Sequence, residues 1–185
     1  MIDCTPEHTY IDSDTDRVYP GVTSIIKDAG LMGWLPNDDY YLKRGTWVHE
    51  ACALWDRGLL EESDLAPGLV GFVAAWKKYR ADTGLTPAPD FIERIGFDPV
   101  LGYCGTLDRN GLDIKAGAPC AWHILQAAAY WHFADSTKAP WQSVYLKDDG
   151  SYKVKVYSPQ ELYAAFQVFC AALTATNWKR ENNIQ

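Results

Sequence analysis

The chain has 185 residues, of which 48% are apolar or aromatic and 22% are charged, and its formal net charge is −7. That composition supplies a buried core and argues against disorder beyond the ends, and no apolar run is long enough to span a bilayer. The acidic balance argues against a generic basic coat for nucleic acid, leaving only local clusters: Lys43 with Arg44, then Lys77, Lys78 and Arg80, then Lys153 with Lys155.

The first residues, MIDCTPEHTY, lack the basic head and apolar middle of a secretory leader, so a cytoplasmic location is expected. Cys4, Cys52, Cys104, Cys120 and Cys170 are odd in number and scattered, without a C-x-x-C pair. They read as small core hydrophobes rather than as a disulfide framework or a zinc ribbon.

In chain order, Thr9 to Ile11 and Arg17 to Tyr19 predict a short hairpin turned through Asp12 to Asp16, and Pro20-Gly21 breaks it. A short helix is expected from Val22 to Ala29, stopped by Gly30, then a loop at Gly33 and Pro36 and a longer helix from about Asp38 to Asp56. After an acidic connection from Glu61 to Pro67, the residues Leu69, Phe72, Val73, Trp76 and Tyr79 recur at helical spacing up to Gly84.

The period then changes. Phe91 to Phe97, Gly102 to Arg109 and Leu112 to Ala116 predict three strands, followed by a helix from about Ala121 to Ala134. Trp141 to Lys147 and Tyr152 to Tyr157 predict a second hairpin around Asp148-Asp149-Gly150. Ser158-Pro159-Gln160-Glu161 combines an N-cap, proline at the first helical position and glutamate at the third, and starts a helix expected to reach about Trp178. No internal linker is visible. The expectation is one α/β domain over residues 1–185, with a central mixed β-sheet flanked by α-helices.

The segment from Gly105 to Lys115 carries the most chemistry. Asn110-Gly111 between two strand-like runs signals a two-residue type I′ turn, which needs positive φ at both central positions. That turn sets Arg109 opposite Leu112, Asp108 opposite Asp113, Leu107 opposite Ile114 and Thr106 opposite Lys115. One face then holds Thr106, Asp108, Asp113 and Lys115, and the apolar face holds Leu107, Leu112 and Ile114. Two carboxylates would lie about 5 Å apart, a repulsion that a divalent cation with hard oxygen ligands removes. Lys115 would be placed to orient or deprotonate an attacking water, or to neutralise charge in a transition state. A solvated face whose lysine balances two acids explains the hairpin alone equally well.

Two neighbouring features add to it. Gly45 to His49 places a histidine within a helix, and Gln126 and Tyr130 lie four apart on one helical face. In this order, G-x-x-x-H, G-x-x-D (Gly105 to Asp108), D-x-K (Asp113 to Lys115) and Q-x-x-x-Y resemble the RecB-like branch of the PD-(D/E)XK nuclease superfamily. The stretch from Tyr19 to Ile26 is similar to the lead-in of its small phage-type stand-alone exonucleases.

The resemblance implies a restriction-endonuclease-like core. It also implies a site in which Asp108, Asp113, His49 and the Ile114 carbonyl ligate Mg²⁺ or Mn²⁺, with Lys115 catalytic. Gln126 and Tyr130 would contact DNA or brace the site, with Arg44 and Thr106 in the same supporting role. Glu93 matches an acidic position of many members, as a ligand for a second metal or a water, or stands as a plain surface residue. No late C-x-x-C group occurs, so no iron–sulfur cluster is expected, and no phosphate-binding GK[ST] loop of a helicase is present.

The implied activity is hydrolysis of DNA phosphodiester bonds, with exonuclease action on ends as the first reading. It would serve recombination, repair or phage DNA processing, in a bacterial host's cytoplasm if phage-encoded. DNA is the implied partner. A recombination or replication protein is a compatible one, no membrane is implied, and oligomerisation is left open. A flap- or branch-specific endonuclease is the rival within the class, and a non-catalytic nucleic-acid-binding module is the rival outside it.

Overall fold

The computed structural model describes residues 1–5, 9–32, 39–134 and 139–184. The chain opens with three short antiparallel strands, β1 (Ile2–Cys4), β2 (Tyr10–Asp12) and β3 (Arg17–Tyr19). The expected hairpin is β2–β3, and β1 adds a strand that its three residues do not announce. Helix α1 (Val22–Asp28) follows, then α2 (Asp39–Asp56) and α3 (Pro67–Thr83). The expected loop at Gly33 and Pro36, and the expected helix start at Asp38, lie outside the described residues.

Helix α3 forms where the periodicity places it. Pro67 sits at its start, Gly84 closes it at φ +68°, and Phe72, Val73, Trp76 and Tyr79 are buried. Gly71 faces the turn at Asp148-Asp149-Gly150 so closely that any side chain there would meet the backbone of Asp148.

Strands β4 (Arg94–Asp98) and β5 (Tyr103–Leu107) pair antiparallel. Strand β6 (Leu112–Lys115) leads into α4 (His123–Phe133), which crosses over to β7 (Trp141–Leu146), parallel to β6, and β8 (Tyr152–Tyr157) returns antiparallel. Helix α5 (Pro159–Glu181) ends the chain, and Ser158 and Glu161 form the reciprocal capping box that its first residues predict.

Helices cover the strands through two cores. One gathers α1, α4 and α5 around Tyr103, Leu107, Trp141 and Tyr157, and the other gathers α2 and α3 around Leu112, Ile114, Val144 and Leu146. Trp141 and Val144 of β7 fall in different cores, as alternation along a strand requires. This is the mixed α/β architecture expected of a restriction-endonuclease-like core. Among the described residues, no helix is long and apolar enough to cross a membrane.

The expected hairpin register needs correction. Gly111 takes φ +82°, but Asn110 does not adopt positive φ, so the turn is not type I′. Without that twist the strands diverge, and only the first expected pair, Arg109 with Leu112, forms a bridge. Beyond it β5 belongs to β4 and β6 to β7. Leu107 therefore enters the α4–α5 core while Leu112 and Ile114 enter the α2–α3 core, and the single apolar face splits in two.

Candidate active site

The divergence of β5 and β6 opens a seam, and the polar side chains of the G-x-x-D and D-x-K segments meet there. Asp108 turns its carboxylate across the gap and accepts the backbone N–H of Ile114 at 2.6 Å, so a side chain does what a paired strand would have done. Its other oxygen lies 3.1 Å from His49 Nδ1. His49 comes from α2, one residue past the fully buried Val48. That offset of about 100° puts it at the margin of the buried stripe, facing the seam.

Glu93 completes a group of three. One ligand atom each from His49, Glu93 and Asp108 all lie within 4.8 Å of one another. Glu93 stands just ahead of β4 at φ +55°, a left-handed conformation that a non-glycine residue holds only when its surroundings impose it. Its N–H bonds to the Asp108 carbonyl at 3.1 Å, fixing it against the β5 end.

Asp113 and Lys115 form the second half. Lys115 Nζ lies 2.8 and 2.6 Å from the two oxygens of Asp113 and donates to Gln126 Oε1 at 2.6 Å. Gln126 Nε2 in turn donates to Tyr130 Oη at 3.1 Å and Thr23 Oγ1 at 3.3 Å. Gln126 and Tyr130 thus brace the lysine from α4. Tyr130 fits because Gly105 has no side chain: a Cβ there would come 2.6 Å from the tyrosine ring.

The charges are crowded and buried. Burial and the neighbouring Asp108 push Glu93 up to about 7. Burial, with repulsion from Asp108, lifts Asp113 to about 6 in spite of Lys115. Burial would lower His49, but the Asp108 carboxylate beside it raises it to about 9. Asp108 is held below its ordinary value, because His49, Lys115 and the Ile114 amide outweigh its burial. Asp108 and Asp113 are buried and Glu93 partly so, which leaves three carboxylates competing for positive charge with limited screening by water. Oxygen donors with one imidazole suit a divalent cation such as Mg²⁺ or Mn²⁺, so the residues present fit such an ion.

A cleft of about 750 Å³ opens over these groups and is lined by His49, Glu93, Asp108, Asp113, Thr106 and Gln126, among others. Lys27 and Arg57 also line it, and neither was singled out in the sequence because each is an isolated cation at a helix end. Thr106 Oγ1 shares a hydrogen bond with Tyr10 Oη at 3.0 Å. Arg44 goes elsewhere: Nη2 donates to the Ala116 carbonyl at 2.9 Å, and the guanidinium lies over the Phe72 ring. Ile114 is fully buried in the β6–β7 ladder, opposite Val144. Asp113 lies outside the three-residue group, its carboxylate taken by Lys115.

Sequence reasoning missed the layer beneath. Asp56, two turns beyond His49 on α2, has a fully buried side chain that accepts from Trp76 Nε1 at 3.1 Å and pairs with Arg80 and Arg109. Its seven-residue spacing from His49 is the signal that would have found it.

The fold these elements define is shared with a solved α/β protein. That structure is a crystal structure from Eubacterium rectale named "Putative exonuclease", with a TM-score of 0.61 and 11% sequence identity over 90% of this chain and 83% of that one. No family model matches the chain. No curated protein matches it either.

Proposed function

We propose that residues 1–185 form one metal-dependent DNA nuclease domain, an exonuclease of the RecB-like PD-(D/E)XK type. The carrying observation is the convergence of Asp108, Asp113, Glu93 and His49 on one cleft, with Lys115 paired to Asp113 behind them, because nothing about packing calls for three carboxylates crowded at one place. The resemblance of the Eubacterium rectale fold to this one supports the reading, since that protein's name is an exonuclease name.

His49, Glu93 and Asp108 would hold Mg²⁺ or Mn²⁺, with Asp113 beside them. When bound, the ion supplies Lewis acidity that polarises a phosphodiester and acidifies water. Lys115, held by Gln126, is aimed at the carboxylates from the α4 side and supplies the positive charge that orients a water and offsets the developing negative charge on phosphate. Asp113 keeps that ammonium in place. Lys27 and Arg57 on the cleft wall are the cations available to the phosphate backbone. Processing of DNA in recombination, repair or phage replication is the role this chemistry suits.

The test is degradation of end-labelled linear and covalently closed circular DNA, single- and double-stranded, with Mg²⁺, Mn²⁺ or EDTA. Wild type is run beside Lys115→Ala. Cutting of linear DNA that needs the metal and falls by about 10²–10³ in the variant is expected. Cutting of closed circles would replace the exonuclease by an endonuclease. Wild type that binds DNA but cuts nothing with either metal would overturn the enzyme reading.

A further inference from the structure

His49, Glu93 and Asp108 come from three separate parts of the chain: a helix, the residue ahead of β4, and the end of β5. One side chain touches all three parts. Arg109 is among the largest fully buried residues and sits covalently next to Asp108, whose own carbonyl accepts from Arg109 Nη1. Its Nε and Nη2 lie 2.6 and 2.5 Å from Asp56 Oδ2 on the His49 helix. Its Nη1 lies 3.2 Å from Glu93 Oε1.

The guanidinium suits this task because its donors are fixed in a planar fork. Asp56 is anchored in turn: Arg80 takes Oδ1, and the Trp76 indole donates to both oxygens at 3.1 and 3.2 Å. The Arg109 guanidinium also lies over the Trp76 ring, 5.5 Å from its centre. The fork is thus held on several sides, and of the two carboxylates it pairs with, Asp56 and Glu93, it is Glu93 that lines the cleft.

We infer that Arg109, locked by Asp56, is a positioning residue that sets the Glu93 carboxylate against His49 and Asp108 and so assembles the metal-binding group. The inference rests on the metal-dependent reading above. It explains how Glu93 is kept in a left-handed backbone conformation: the N–H bond to the Asp108 carbonyl and the Arg109 fork hold its two ends. A role in packing alone would need neither the fork nor the pairing to a carboxylate in the cleft.

The experiment is Mn²⁺ titration by calorimetry on wild type, Arg109→Lys, Glu93→Gln and the double variant, with circular dichroism to verify folding. Lysine keeps the charge and loses the fork. Arg109→Lys should weaken Mn²⁺ binding by about 10–100-fold, the usual effect of removing a group that orients a ligand. In the Glu93→Gln background the same change should cost less than about threefold, because the route to the metal is already cut. Asp56→Asn, which keeps its shape, gives the second arm if Arg109→Lys does not fold, and should weaken binding in the same Glu93-dependent way. Undiminished binding in Arg109→Lys, or an equal loss with and without Glu93, overturns the inference and leaves the nuclease reading standing. Wild type that binds no Mn²⁺ overturns both.

Discussion

Replacing Asp113 by Asn should stabilise the metal-free protein. The carboxylate is 1% exposed, and burial together with Asp108 holds it up at about 6 even though Lys115 is in contact. An acid whose folded value lies above its unfolded one binds its proton more tightly in the folded state. Stability then falls as pH rises from the unfolded value of 3.8 through the folded value of about 6, and stays lower above it. Lifting the midpoint from 3.8 to about 6 corresponds to about 3 kcal/mol of destabilisation at pH 7.5. An amide carries no such penalty, and its oxygen can still accept from Lys115. At about 2–4 °C per kcal/mol for a chain of this size, Asp113→Asn should raise Tm by about 6–12 °C in EDTA at pH 7.5. The gain should shrink steadily toward pH 5, where Asp113 takes up its own proton. Thermal melts of both proteins from pH 4.5 to 8, always in EDTA, measure it. A variant that melts lower than wild type at pH 7.5, or a gain that ignores pH, would show that Lys115 satisfies the carboxylate fully and that the site is not short of positive charge.

The other side of the same cluster should titrate at higher pH. His49 is raised to about 9 by Asp108, so the pair stabilises the folded state fully below the ordinary histidine value of 6.5 and loses that contribution as pH rises through 9. In EDTA, wild-type Tm should fall across that window, and His49→Gln should flatten the curve; an equally steep variant curve refutes the assignment. Gly105→Ala would drive a methyl to 2.6 Å from the Tyr130 ring and 3.1 Å from Val22, costing about 1–3 kcal/mol by overpacking. Urea unfolding reads that loss, and an unchanged midpoint would mean that Tyr130 moves aside freely. Ser158→Ala removes the capping box of α5 and should cost about 1 kcal/mol in urea unfolding while leaving the proposed DNA cleavage unchanged; a change in cleavage would tie α5 to the site.

The parts of the fold legible from sequence are those written in local chemistry. Pro67, Gly84 and the Ser158 to Glu161 box mark helix ends because backbone donors and acceptors there must be satisfied by nearby residues. The side chains of the D-x-K and Q-x-x-x-Y segments were likewise identifiable, and the structure brings Lys115 to Gln126 and Gln126 to Tyr130. What local pattern could not carry was strand partnership. Asn110-Gly111 suggested continuous pairing of β5 with β6, yet the choice between that ladder and β6 with β7 depends on where α4 returns the chain. The pairing of Asp56 with Arg109 was invisible for a related reason, although the place of Asp56 on the His49 face of its helix was not. A buried ion pair 53 residues apart leaves no periodic trace, and a charged residue beside a turn reads as solvated.

The seam between β5 and β6 gives the protein a built-in reporter. The Ile114 amide proton is held by a side-chain carboxylate rather than by a neighbouring strand's carbonyl. Backbone amides in a continuous ladder exchange with solvent only when the sheet opens. This one also depends on the ionisation and orientation of Asp108, so its nitrogen–proton resonance and exchange rate should follow the state of that carboxylate. The amide of Ile114 is therefore a spectroscopic gauge of the site, readable in the intact protein without substrate and independent of whether any bond is cut.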